Sequence, residues 1–87
     1  MKKKMQELPK WFDGQLYKEG DVVANRFTGE ETRLNAVELS MYDFVMGCSI
    51  LFEEGMFLDD NKILNEHAEG LQWFRHANPE AYMILLD

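Results

Sequence analysis

Two histidines, one cysteine and two serines are the side chains of this 87-residue chain that could carry metal or nucleophilic chemistry. His67 and His76 lie nine residues apart on one predicted helix, so at 3.6 residues per turn they point about 180° apart. They cannot share an ion without a break in that helix. Cys48 is the only cysteine, which rules out an intramolecular disulfide and a zinc-type cluster. The expectation is a core-facing His67, a surface His76, and neither a metal site nor a cofactor. Cys48 falls on an apolar helical stripe, where a thiol stays protonated and inert. Ser40 and Ser49 are mid-helix, with no nucleophile elbow and no base at a telling spacing. Gly14, Gly20 and Gly29 are turn glycines and make no phosphate-binding pattern. No residue is therefore assigned a catalytic role, and the chain reads as a non-enzyme.

Carboxylates are the remaining chemical resource. Glu53, Glu54, Asp59 and Asp60 surround one short turn, without the alternating order of a calcium loop. Helix capping accounts for Asp59 or Asp60. Glu53 and Glu54 sit at the negative end of a helix dipole, which makes the four an acidic patch candidate for a partner. The formal charge of −7 is uneven: residues 1–34 carry +1 and residues 35–87 carry −8. With so few cations to neutralise phosphates in the second half, direct nucleic-acid binding is not expected. The longest apolar runs, near Phe44–Phe52 and Ala81–Leu86, are far short of the ~20 residues that span a bilayer. The chain reads as cytoplasmic, with no membrane contact.

These residues need elements to position them. Apolar residues make up 46% of the chain and aromatics 13%, enough for one small core. Residues 1–10 read as a flexible tail and residues 11–87 as a single domain, with Trp11 and Phe12 anchoring its start. Gln15–Lys18 is a candidate short strand. Asp21–Leu34 reads as a β-hairpin about a two-residue Thr28-Gly29 turn. That turn pairs Phe27 with Glu30, Arg26 with Glu31 and Val23 with Leu34, and suggests an Arg26–Glu31 ion pair across the strands. Capping patterns at Asn35, at Asp59 or Asp60, and at Asn78-Pro79 place helices near 36–54, 60–77 and 79–86. The fold class is α+β, an N-terminal β-hairpin packed on a C-terminal three-helix half.

The first helix carries two apolar stripes. The second of them, Leu39, Tyr42, Met46 and Ile50, together with the small Gly47, makes the candidate interface. A mid-helix glycine costs about 1 kcal/mol against alanine, so something should come close to it. Gly70 of the second helix could be that neighbour, or a second copy of the chain could be. The surplus apolar surface favours a homodimer.

The runs Gly20–Glu30 and Leu39–Gly47, then Trp73-Phe74 and Asn78–Asp87, resemble small uncharacterised proteins of marine tailed bacteriophages. The resemblance covers most of residues 8–87 and carries no functional residue across. It implies a compact accessory protein made inside an infected bacterium, with a host or phage protein as partner. The expected function is that of a non-enzymatic protein-interaction module. Its rivals are an acidic nucleic-acid mimic filling the basic groove of a host enzyme, and a small ligand-binding protein or enzyme with a site between subunits.

Overall fold

The computed structural model describes residues 6–87. Strands β1 (Asp21–Ala24) and β2 (Glu31–Leu34) form an antiparallel hairpin, followed by helices α1 (Ala36–Glu53), α2 (Asn61–Ala77) and α3 (Pro79–Leu85). The hairpin packs on the helices through β2, which lies against α3 and α1. The expected α+β architecture is present, and the three helix spans agree with expectation to within a residue or so at each end.

The hairpin's register differs from the sequence reading. Asp21 pairs with Leu34, Val22 with Arg33, Val23 with Thr32 and Ala24 with Glu31. Asn25 N–H donates to the Glu30 carbonyl at 2.8 Å, so the loop is the four residues Arg26–Gly29, not Thr28-Gly29 alone. Asn25 explains the change. Its side-chain oxygen accepts from the backbone N–H of Phe27 at 2.7 Å and of Thr28 at 3.0 Å, closing the loop early. A two-residue slip keeps every side chain on its face, so Val23 and Leu34 still point inward while Phe27 moves out onto the loop. Arg26 consequently misses Glu31 and pairs with Glu53 at the end of α1.

Helix α1 begins at a complete capping box. Glu38 N–H donates to the Asn35 side chain at 2.8 Å, and Asn35 N–H donates to the Glu38 carboxylate at 3.0 Å. Gln6 locks this box to the end of α2 by donating to Glu38 at 2.9 Å and to the Ala77 carbonyl at 3.2 Å. Trp73 Nε1–H donates to the Glu7 carbonyl at 2.8 Å. Of the segment expected as a tail, Gln6 and Glu7 are therefore tied to the helices, and residues 1–5 lie outside the described residues. Gln15–Lys18 forms no strand; Tyr17 N–H instead donates to Ser40 Oγ at 3.0 Å.

Helix α1 ends in a Schellman motif, with Gly55 N–H donating to the Phe52 carbonyl and Met56 N–H to the Leu51 carbonyl, both at 2.9 Å. Gly55 takes the left-handed conformation this motif needs, at φ 84°. Asp60, not Asp59, caps α2 by accepting from Ile63 N–H at 3.1 Å. Asn78 caps α3, with Pro79 at its first position.

The core comprises Leu34, Met41, Val45, Phe74, Ala81 and Leu85. Gly70 is the close crossing point of α2 on α1: a Cβ there would lie 3.0 Å from both the Met41 sulfur and Val45 Cγ2. Gly47 is not its counterpart, since a Cβ at Gly47 would meet nothing within 4 Å among the described residues. Trp11 and Phe12 cover Phe44 with ring centroids 5.6 and 5.7 Å away. Leu39 and Tyr42, two of the five interface candidates, pack against the core.

Cys48 is buried. Burial first, then the nearby Glu66 and Asp13 carboxylates, push its thiol above the ordinary range. Native protein should react with Ellman's reagent at least ~100-fold more slowly than unfolded protein, as expected for a protonated, enclosed thiol. Equal rates in the two states would place the thiol in solvent and reopen a redox role.

Candidate functional site

A groove of about 260 Å³ opens where α1, α2, the end of α3 and the hairpin loop meet. Its apolar wall comes from Phe27, Val45, Met46, Leu71, Leu85 and Leu86, and its polar groups from Arg26, Tyr42, Ser49, Glu53 and His67. The polar groups come from three elements, Arg26 from the hairpin loop, Tyr42, Ser49 and Glu53 from α1, and His67 from α2. Asn25 Nδ2–H donates to the Ile84 carbonyl at 2.8 Å and so pins the hairpin loop to α3. From that loop Arg26 reaches Glu53 on the last turn of α1, and its guanidinium lies 4.8 Å from the Phe27 ring centroid. Arg26 also acts on Tyr42. Burial raises the Tyr42 hydroxyl's pKa, and the guanidinium partly opposes the rise.

Ser49 Oγ and His67 Nε2 share a hydrogen bond at 3.0 Å. The sequence reading found no base near Ser49, because the partner is eighteen residues away on another helix. Only the α1–α2 crossing at Gly70 brings the two together. His67 is partly buried, its ring edge-on to Phe52 at 5.1 Å, and burial lowers its pKa. Burial disfavours the charged imidazole, and which of the two groups donates in the Ser49–His67 bond follows from the imidazole tautomer. His76 lies on the surface, its Nδ1 2.8 Å from the Gln72 carbonyl. The two histidines are apart, and among the described residues no group of three His, Cys, Asp or Glu side chains could hold a metal ion.

The lowered pKa has a consequence for stability. The unfolded chain takes up a proton at His67 near its ordinary pKa of about 6.5, while the folded chain resists it. The contribution of a neutral His67 is therefore complete above about pH 6.5 and is lost as pH falls through the folded value. Melting temperature should drop below pH 6.5, and His67→Gln should flatten that part of the profile. An unchanged profile in the variant would show that carboxylates alone set the acid limb.

The remaining interface candidates lie on the outward side of α1. Met46 is half-buried on the groove wall, Gly47 is open to solvent, and Ile50 is exposed. Of the acidic candidates, Glu53 is engaged by Arg26 and Asp60 caps α2, while Glu54 and Asp59 are exposed. Phe57 and Leu58 were no part of the sequence expectation, and with Met56 they fill the turn between those acids; all three are exposed. Their signal was present as an apolar triplet between two acidic pairs. No helix is long and apolar enough to cross a membrane among the described residues. No family model, curated protein or solved structure matches the chain.

Proposed function

We propose that the protein is a non-enzymatic protein-interaction module that works as a two-fold homodimer closing on the outward side of α1. The observation that carries this reading is Phe27. Its side chain is 83% exposed, yet it stands on a loop that Asn25 fixes by three hydrogen bonds, beside the groove that Met46 walls. A free apolar side chain on a free loop would mean little. One held in water by a tied loop, beside Met46 of a helix that also exposes Ile50 and Gly47, has the form of a contact surface waiting for its partner. In a two-fold contact the same patch serves both copies, so Phe27 of each could enter the groove of the other. Light scattering at micromolar concentration tests the reading: the expected mass is twice that of the chain, falling to one with Met46→Lys. The phage resemblance supports a site of action inside an infected bacterium, on a host or phage protein.

The Ser49–His67 pair favours a second reading, a ligand site in the same groove. Convergent polar groups in an apolar hollow are what small-molecule sites share. A fragment screen followed by NMR should then move the Ser49 and His67 signals first. Shifts confined to the dimer surface would count against it.

A further inference from the structure

We infer that the turn between α1 and α2 is a second docking surface, a rigid apolar knob for a foreign protein whose apolar pocket is rimmed by lysine and arginine. The inference rests on the interaction-module reading but uses a surface distinct from the dimer face. Met56, Phe57 and Leu58 are consecutive and expose 45%, 43% and 55% of their surface. Three such side chains together present on the order of 300 Å², the scale at which a monomer's largest apolar patch is commonly functional.

The knob is built to stay in place. On one side the Schellman bonds from Gly55 and Met56 close the end of α1. On the other, Asp60 N–H donates to the Phe57 carbonyl at 3.1 Å, and the Asp60 side chain caps α2. Phe57 itself is held at φ 60°, a left-handed conformation that glycine or asparagine would adopt more easily. Strain of this kind persists where the surroundings impose it, and here it sets an aromatic ring at the tip of a turn. A surface preorganised in this way loses little entropy on binding.

Charge decides the occupant. Residues 53–60 contain four carboxylates and no cation. Arg26 engages Glu53 and the α2 cap uses Asp60, so Glu54 and Asp59 are the exposed acids of the rim. A second copy would bring its own Glu54 and Asp59 against these, and an anionic membrane leaflet would repel them. A pocket ringed by Lys or Arg gains from both the apolar tip and the acidic rim.

The test uses the full chain, labelled with ¹⁵N, and two helical peptides of alternating apolar and charged faces, one of Leu and Lys and one of Leu and Glu. The Leu/Lys peptide should give saturable shifts centred on residues 54–59, while the Leu/Glu peptide should not. Neutralising the rim with Glu54→Gln and Asp59→Asn should weaken binding about tenfold, and raised salt should weaken it further. Leu58→Ser, at a mostly exposed position, should preserve the spectrum and abolish the shifts. Perturbation spread over the other acidic faces would overturn the inference, as would an affinity indifferent to the rim charges. So would the same response to neutral lipid vesicles, or corner shifts produced by raising the chain's own concentration. Met46→Lys separates the two readings, because loss of the dimer should leave the corner's response intact.

Discussion

Gly20→Ala is expected to destabilise the protein by about 2–4 kcal/mol, more than surface substitutions normally do. A Cβ at Gly20 would lie 2.1 Å from the Leu34 carbonyl oxygen and 2.9 Å from Asn35 Cα. Both atoms belong to backbone, so no side-chain rotation can relieve the clash. The chain at Gly20 must move away from the end of β2, where Leu34 enters the core and Asn35 starts the α1 capping box. One methyl group therefore disturbs the hairpin pairing at Asp21–Leu34, the burial of Leu34 and the cap of the longest helix together. A chain of this length has about 4–13 kcal/mol of stability in all, so the loss would be a large fraction. Chemical denaturation measures it through the midpoint. A variant within about 0.5 kcal/mol of the parent would show that the segment before β1 yields freely, and would remove the close approach as a structural constraint.

Features held by local chemistry were legible in the sequence, and features held by tertiary geometry were not. The caps at Asn35, Asp60 and Asn78 were readable because each joins residues three apart, and their hydrogen bonds are present. The hairpin was readable, but its register was misjudged. Thr28-Gly29 has turn chemistry, yet Asn25 bonds forward into the loop and closes it with four residues. Gly20 stands in a Glu-Gly-Asp run with turn chemistry, whereas its role is to let two backbone segments touch. The acidic corner was visible as composition. That Met56, Phe57 and Leu58 point outward depends on the Schellman turn and on the backbone of Phe57, neither of which follows from apolar character. The Ser49–His67 and Arg26–Glu53 contacts depend on how α2 and the hairpin loop meet α1, a relation carried by no spacing in the chain.

The dimer face gives the other large effect. Met46→Lys should weaken self-association at least ~100-fold, because a two-fold contact receives two ammonium groups from one substitution. Lysine at a half-buried position of a monomer can reach water, so folding should survive. Gly47→Ala makes the sharper companion. Its new methyl group would meet nothing within 4 Å among the described residues of its own chain. Helix propensity alone should then stabilise the monomer by about 1 kcal/mol. If a second copy's backbone comes against Gly47, the same methyl group holds it off, and association should weaken while thermal stability at low concentration rises. Opposite signs on the two readouts mark a contact surface, whereas a plain solvent face gives only the rise in stability. Melting curves and light scattering over a concentration series read both quantities from one set of samples. A chain that is monomeric throughout, with neither substitution changing its mass, would remove the homodimer and assign Phe27, Met46 and Ile50 to a foreign partner.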